Sequence, residues 1–278
     1  MSKHIFWLLS YPKSGNTLLR SIVTSLFFSE DGFFNFDMLR HTGQFEVRKR
    51  LNTIKKINEH DFLKIDNLKT LSAYWQLLQT KENLNVKNGF GFLKSHSSFV
   101  SMFGNWFTSE ELTAGYIYVV RDPRDVALSW AKHSGLSLDK SIDFMIDFKS
   151  CIEWAKTDSD LPEKILPKTY LGSWDKHVLS WTENRLNVPK LFIKYEDLVY
   201  EKERSIRKII SFFENKFKIQ IKNKETKVIN IIKSTDFTKL QSMEKKEGFD
   251  EANLGNFFRK GKRNQWKNEL NELQILKI

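Results

Sequence analysis

The 278-residue chain contains one cysteine and five prolines, and one thiol can form neither an internal disulfide nor a cysteine-rich zinc site. A lone Cys151 is typical of proteins in a reducing compartment, so we expect a cytoplasmic protein. The apolar run at 5–9 is shorter than the roughly seven to fifteen residues of a signal-peptide core. No run approaches the roughly 20 residues of a membrane-spanning helix, and the sequence therefore predicts no membrane anchor.

Basic residues exceed acidic ones, with 45 Lys and Arg against 34 Asp and Glu, which gives a net charge of +11. This excess favours anionic partners, namely nucleic acid, acidic lipid or a phosphorylated small molecule. The chain is 40% hydrophobic and 14% aromatic, which is enough to build a core. We find no repeat, low-complexity tract or Gly/Ser linker, and we expect one domain over residues 1–278.

Short apolar runs of strand length alternate with helical patterns. Runs at 5–9 and 116–120 are each followed by a tight polar loop and a helical pattern, and further runs occur at 89–93 and 191–193. This order predicts an α/β fold with a central parallel sheet flanked by helices. Ligands of such sheets bind beyond the carboxyl ends of the strands, so the loops after these strands are the candidate site.

The loop at 11–17, Tyr-Pro-Lys-Ser-Gly-Asn-Thr, joins the first predicted strand to the first predicted helix. Free backbone N–H groups and the positive end of the helix dipole favour an anion at such a junction. The loop is not a Walker A sequence, because Lys13 precedes Ser14 and Gly15 instead of following a glycine. A plain turn that caps the helix is the alternative.

Two more basic segments complete the set. In the segment 121–129, Arg121 ends a strand and Ser129 lies further along the next helix, a combination that suits a phosphate monoester. The alternative is that Arg121 and Arg124 pair with Asp122 and Asp125 on the surface. The segment 259–268 is dense in cations around one glycine, and its alternatives are a solvated charge run and a nonspecific nucleic-acid patch.

Taken in order, the three segments resemble the signatures of the sulfotransferase family that uses 3′-phosphoadenosine 5′-phosphosulfate (PAPS), and the resemblance runs from about residue 5 to 268. It implies a single α/β domain related to P-loop nucleotide kinases that works without a metal, and 3′-phosphoadenosine 5′-phosphate (PAP) as the product. The residues that would bind the nucleotide are Lys13, Ser14, Gly15, Asn16 and Thr17 at the 5′-phosphosulfate, Arg121, Ser129, Arg259, Lys260 and Gly261 at the 3′-phosphate, and Tyr195, Thr235 and Phe237 at the adenine. Core packing of Tyr195 and Phe237 and helix capping by Thr235 are the structural alternatives.

The resemblance places catalysis on His96, which looks like the histidine of the family's Lys-Thr-His strand end. A base with a pKa near neutrality is suited to take the proton from an attacking hydroxyl. Lys13 and Lys94 would stabilise the negative charge that develops on the leaving nucleotide.

This sequence departs from the family's pattern at several positions. Leu18 stands where the family often has a tryptophan against the adenine, and no proline follows His96. Asn264 and Gln265 replace a Gly-Asp pair, although Asn adopts left-handed backbone more readily than most residues. These departures leave the shape of the acceptor loop open, and the sequence does not predict an oligomeric state.

The acceptor is expected to be a small molecule or a carbohydrate that carries a hydroxyl or an amine, with neither nucleic acid nor membrane as partner. Residues at 33–79, 97–107 and 134–170 would shape its pocket, and their many Phe and Trp favour a partly apolar acceptor. A magnesium-dependent nucleotide kinase and a basic nucleic-acid binder are the alternatives.

Overall fold

The structure is a computed structural model that describes residues 3–54, 59–87, 89–154, 162–252 and 254–278. Its strands are β1 (Ile5–Ser10), β2 (Gly91–Ser95), β3 (Ser101–Met102), β4 (Asn105–Trp106), β5 (Thr113–Val120), β6 (Cys151–Glu153), β7 (Lys168–Tyr170) and β8 (Lys190–Lys194). Parts of the predicted acceptor-shaping stretches, at 55–58 and 155–161, lie outside the described residues.

The helices of the described residues lie between these strands and after β8. They are α1 (Asn16–Phe28), α2 (Glu59–Phe62), α3 (Leu68–Leu78), α4 (Lys81–Leu84), α5 (Pro123–Ser134), α6 (Leu138–Ile146), α7 (Trp174–Thr182), α8 (Tyr195–Tyr200), α9 (Lys202–Phe217), α10 (Lys224–Ser234), α11 (Phe237–Glu247), α12 (Trp266–Glu269) and α13 (Glu272–Lys277), with 3₁₀ turns at Phe36–Thr42 and Arg48–Thr53. Among the described residues, none of these helices combines the length and the apolar character needed to cross a bilayer.

Strands β2, β1, β5 and β8 form a four-stranded sheet in that order within the described part of the chain. β1 and β2 pair in parallel, with Ile5 opposite Gly91 and Leu9 opposite Ser95. All six residues of β1 are buried, as expected for a strand with both faces covered. The predicted α/β fold with a central parallel sheet is confirmed.

The predicted strand at 89–93 is displaced by two residues, because β2 spans Gly91–Ser95. Lys94 and Ser95 belong to the strand, and they lie opposite Leu8 and Leu9 of β1. The strand continues through these polar residues because the parallel pairing satisfies their backbone groups, and both side chains are buried. The polar composition alone had suggested that the strand ends before Lys94.

Two small antiparallel sheets were not predicted. One pairs β3 with β4, and the other pairs β6 with β7. Their strands are two or three residues long, which is too short for an alternating hydrophobic pattern to be visible in a sequence.

The described residues fall into two compact units. Unit 1 comprises Met1–Tyr11, Gly43–Ile117 and Asp147–Lys190, and unit 2 comprises Pro12–Thr42, Tyr118–Ile146 and Leu191–Ile278. Within unit 1, the ring of Trp7 packs against Phe45 and Phe107, at 5.4 and 5.6 Å between ring centroids. A core cluster of unit 2 contains Phe34 and Phe258. The single domain over residues 1–278 stays a prediction.

Candidate active site

The loop between β1 and α1 has an unusual backbone. Lys13 has a φ of 64° and Gly15 a φ of 99°, so both lie in the left-handed region. Gly15 is also the N-cap of α1 and supplies no side chain to cap it. A Cβ at Gly15 would overlap the ring carbon Cδ2 of Tyr195, so both the backbone and the packing require glycine here. The helix therefore begins without a side-chain cap, an arrangement that suits an anionic ligand.

The amino group of Lys13 lies among aromatic and imidazole groups of unit 2. Its Nζ lies 3.9 Å from the centroid of the Phe257 ring and 3.4 Å from Nδ1 of His133. The aromatic face attracts the cation, and the imidazole nitrogen accepts a hydrogen bond from it. Both groups hold the lysine side chain at the loop.

Arg121 is buried at the end of β5, only 7% exposed, and contacts the same loop. Its Nη1 donates to the backbone oxygen of Lys13 at 3.1 Å, and its guanidinium carbon lies 4.4 Å from the centroid of the Tyr195 ring. Burial raises the pKa of Tyr195, and the Arg121 charge opposes that rise. The structure thus brings Lys13, Arg121 and Tyr195 together.

Arg121 and Ser14 have donor groups that no other described residue satisfies. Arg121 Nε and Ser14 Oγ are buried atoms without a hydrogen-bond partner in the described part of the chain. Buried polar groups are almost always paired, so two orphaned donors beside one loop indicate a polar ligand. Arg124, by contrast, pairs with Asp122 at 2.7 Å, as the alternative interpretation of this segment proposed for it.

Asn16 and Thr17 are buried at the start of α1. The hydroxyl of Thr17 donates to Oε2 of Glu251 at 3.2 Å, and Glu251 also pairs with the guanidinium of Arg20. The Thr17 hydroxyl is therefore bound by a carboxylate of the same chain in this structure.

Part of the predicted adenine and 3′-phosphate sets also meets within unit 2. Gly261 has a φ of 61°, and a Cβ there would overlap the ring of Phe237. Asn264 has a φ of 58°, as expected from its place in the family's glycine position. Two backbone N–H groups of this segment, those of Asn264 and Trp266, donate to the carboxylate of Asp125.

The remaining members of the predicted nucleotide set have other contacts. Thr235 caps the C-terminus of α10, and its hydroxyl donates to Ile231 O at 2.7 Å, which is the capping role named as its alternative. Lys260 pairs with Glu269 at 2.9 Å, and the backbone oxygen of Arg259 accepts from Gln241. Ser129 is half-buried on α5. An adenine contact by Thr235 stays a prediction.

His96 follows β2 in unit 1 and is held by Ser10, the last residue of β1. Nδ1 of the His96 ring donates to the backbone oxygen of Ser10 at 2.7 Å. A carbonyl oxygen can only accept, so this bond places the proton on Nδ1 and makes Nε2 the basic nitrogen. The tautomer is the one that a general base acting through Nε2 requires.

Lys94 and Ser95 precede His96, and a buried carboxylate lies beside them. Glu46 Oε1 accepts from the hydroxyls of Ser95 and Ser97, the latter at 2.7 Å. Burial raises the pKa of Glu46, while these two hydrogen bonds and the charge of Lys94 oppose the rise. The two serines on either side of His96 are therefore fixed by one acid.

The side chain of His177, on α7, supports the same segment by a hydrogen bond to its backbone. Its Nε2 donates to the backbone oxygen of His96 at 2.9 Å, and its ring lies 5.3 Å from the Tyr11 ring. Complete burial lowers the pKa of His177 to about 4, so it is neutral at physiological pH. A neutral, fully buried imidazole that holds a backbone oxygen has a structural role here.

Sequence reasoning missed three contributors, namely His133, Phe257 and Asp125. For two of them a signal was present: Asp125, Ser129 and His133 recur at intervals of four on α5 and so share one helix face. Phe257 carried no such signal, because its contact with Lys13 joins positions 244 residues apart, and no local pattern reports a pairing at that range.

A parallel sheet whose first strand leads through a tight basic loop into a helix defines a P-loop-like α/β protein. The family model of the sulfotransferase domain matches residues 3–278. The chain therefore belongs to the sulfotransferase family, and the predicted enzyme class is confirmed by that membership.

Relatives match at low identity, some over nearly the whole chain and one over about half of it. Luciferin sulfotransferase of Photinus pyralis is 24% identical over 279 residues, which cover 97% of this chain and 68% of the relative. Flavonol 3-sulfotransferase of Flaveria bidentis is 27% identical over 282 residues, which cover 98% and 78%. The amine sulfotransferase of Oryctolagus cuniculus is 28% identical over 166 residues, or 56% and 49%.

Solved structures share the fold. Mouse sulfotransferase SULT7A1 complexed with PAP superposes with a TM-score of 0.56 at 20% identity, covering 99% of this chain and 81% of that one. Retinol dehydratase in a complex with retinol and PAP gives a TM-score of 0.58 at 18% identity, covering 99% and 79%. At these identities the likeness establishes the fold alone.

Proposed function

We propose that this protein transfers a sulfuryl group from PAPS to a hydroxyl or amine of a small-molecule acceptor. The observation that carries the proposal is the pair of orphaned buried donors, Arg121 Nε and Ser14 Oγ, beside the uncapped N-terminus of α1. Family membership supplies the reaction type.

The residues of unit 2 fit a nucleotide with phosphates at both ends. Lys13, with a positive φ, and the start of α1 offer an ammonium group and backbone donors for the 5′ end. Arg121, a permanently charged fork with an unsatisfied Nε, suits the 3′-phosphate. Ser129, Arg259, Lys260 and Gly261 would complete that half. The hydroxyl of Thr17 could donate to the 5′-phosphosulfate only if it gave up its hydrogen bond to Glu251.

PAPS, when bound, supplies an activated sulfuryl group and a nucleotide leaving group. The chain's own residues would move the proton and balance the charge. His96, with its proton fixed on Nδ1 by Ser10, would take the acceptor's proton at Nε2. Lys13 and Lys94 would place positive charge where negative charge develops on the leaving nucleotide.

Two observations indicate which class of molecule accepts the sulfuryl group. The relatives are named for luciferin, flavonol and amine acceptors, all small molecules. Large exposed aromatic side chains occur in the stretches expected to shape the acceptor pocket, among them Phe33, Phe103, Trp106 and Phe148. A partly apolar small molecule fits these hints better than a carbohydrate, and a cytoplasmic setting remains part of the proposal.

The test is calorimetric binding of PAP to the wild-type chain, with adenosine 5′-monophosphate (AMP) as the comparison ligand and a chelator present throughout. We expect PAP to bind at least about tenfold more tightly than AMP, because a buried arginine–phosphate contact contributes 1.5–3 kcal/mol. Arg121→Ala should abolish that preference. Arg204→Ala, which removes an arginine whose side chain is 84% exposed, should not change it.

Other outcomes would contradict the proposal. Binding that is absent with the chelator and appears when magnesium is added in excess would favour a kinase. Binding that ignores the 3′-phosphate and falls steeply with salt would favour a nucleic-acid protein.

A further inference from the structure

Asp125 of unit 2 is deeply buried, with 1% of its surface exposed. Its carboxylate contacts the C-terminal basic segment. It lies in the first turn of α5. Its Oδ2 accepts from the backbone N–H of Asn264 at 2.8 Å, and its Oδ1 accepts from that of Trp266 at 3.1 Å. Both oxygens are thus committed to one short stretch of backbone.

The two elements that Asp125 joins each carry half of the proposed 3′-phosphate set. Arg121 and Ser129 lie four residues before and four residues after Asp125. On the other element, Gly261 lies three residues before Asn264. Holding a phosphate between two elements requires that their separation be fixed before the ligand arrives, because ordering them on binding would cost affinity.

A carboxylate suits this task for a geometric reason. Two amide donors two residues apart need two acceptors at a fixed short spacing, and the two oxygens of one carboxylate side chain provide them. An amide side chain at this position would offer one acceptor oxygen and leave the other N–H unsatisfied in a partly buried place. The left-handed Asn264, with a φ of 58°, turns its N–H toward Asp125.

The other contacts between the same two elements involve side chains that are more exposed than Asp125. Glu269 pairs with Lys132 of α5 at 3.2 Å and with Lys260 at 2.9 Å, and both lysine side chains are nearly half exposed. The guanidinium of Arg124 lies 3.6 Å from the centroid of the Trp266 ring. We therefore expect the hydrogen bonds of the buried Asp125 to control the position of the segment.

We propose that Asp125 is a positioning residue that sets the separation between α5 and the segment 259–266, and so determines the preference for a nucleotide with a 3′-phosphate. It acts through Arg121 and Ser129 on one side and Arg259 to Gly261 on the other, without touching the nucleotide. The inference rests on the function proposed above, because it concerns the same nucleotide site.

The test is calorimetry of Asp125→Asn with PAP and with AMP. The substitution keeps the shape of the side chain and turns one acceptor oxygen into an amino group that faces an N–H donor. We expect the affinity for PAP to fall at least tenfold and that for AMP to change less than twofold. Asp139→Asn is the matched control, because Asp139 also accepts a bond from the C-terminal region, from Gln274 at 2.7 Å, and should leave both affinities unchanged.

Hydrogen exchange adds a readout that needs no ligand. In the wild type the amides of Asn264 and Trp266 should exchange slowly, and Asp125→Asn should release them while amides of β1 stay protected. If Asp125→Asn does not fold, the same affinities and exchange rates are measured on Asp125→Glu. This variant keeps the carboxylate but moves it by one methylene.

The outcomes separate the two proposals. A wild type that does not prefer PAP over AMP overturns the proposed function itself. A wild type with that preference and an Asp125→Asn variant with the same ratio overturns only the role of Asp125. Equal losses for PAP and AMP together with a lower melting temperature would make Asp125 merely structural, which also overturns it.

Discussion

His96 illustrates how much of the proposed chemistry depends on single hydrogen bonds. The backbone oxygen of Ser10 holds Nδ1, and the ring of His177 holds the backbone oxygen of His96. One contact selects the tautomer, and the other fixes the segment. The sequence suggested His96 through its place at a strand end, but neither Ser10 nor His177 could be linked to it, because the partners lie 86 and 81 residues away.

Replacing His96 by asparagine should separate binding from turnover. Asparagine can keep a bond to Ser10 but cannot take a proton at neutral pH, so kcat for sulfuryl transfer should fall roughly 10²- to 10⁴-fold. The dissociation constant of PAP should stay within twofold of the wild-type value. Steady-state kinetics and calorimetry measure the two quantities.

His60→Asn is the control for this change, because His60 is an exposed histidine of α2. Its Nε2 accepts a hydrogen bond from Lys64, which follows the helix. It should leave both quantities unchanged. A His96→Asn enzyme with normal turnover would remove His96 as the base.

The strands and helices that carry the site were mostly predictable, since β1, β5, α1 and α5 have continuous apolar runs or clear helical periodicity. β2 was misplaced because it ends in buried polar residues. The packing of α8 against the loop at 12–17 was not predictable. Tyr195 meets Gly15 across 180 positions, and only the folded chain defines that contact.

The loop between β1 and α1 provides a prediction about packing. Gly15→Ala should place a methyl group against Tyr195 and displace the loop, which lowers PAP affinity. The left-handed backbone adds about 1–3 kcal/mol of destabilisation. Calorimetry and denaturant unfolding measure the two effects.

Gly104→Ala isolates the backbone part, because Gly104 has a φ of 84° and no described residue lies within 4 Å of its added Cβ. It should lower stability without changing PAP affinity. Equal affinity losses in the two variants would show that the Tyr195 contact is unimportant.

For the molecule as a whole, stability should depend on pH through two buried groups of opposite effect. The pKa of His177 is lowered from 6.5 to about 4 in the folded state, so the unfolded chain binds a proton that the folded chain excludes. The unfolding free energy should therefore fall by about 3 kcal/mol as pH decreases from 6.5 to 4. Glu46 acts the other way: burial raises its pKa, so the folded state loses stability as pH rises from about 4.5 through that raised value.

Urea unfolding between pH 4 and 7 checks both signs. His177→Gln should remove the loss of unfolding free energy that His177 causes on acidification. Glu46→Gln, which keeps His177, should make the unfolding free energy rise more steeply with pH. Identical pH profiles for the wild type and His177→Gln would contradict the buried, neutral imidazole.

The single thiol of the chain also has a practical consequence. Cys151 begins β6, half-buried, with its Sγ 3.4 Å from the backbone oxygen of Lys149 and its pKa raised by burial. A protonated, partly covered thiol reacts slowly with maleimides at neutral pH. Fluorophores or spin labels can therefore be attached to a cysteine introduced at an exposed position, with Cys151→Ser as a clean background for distance measurements.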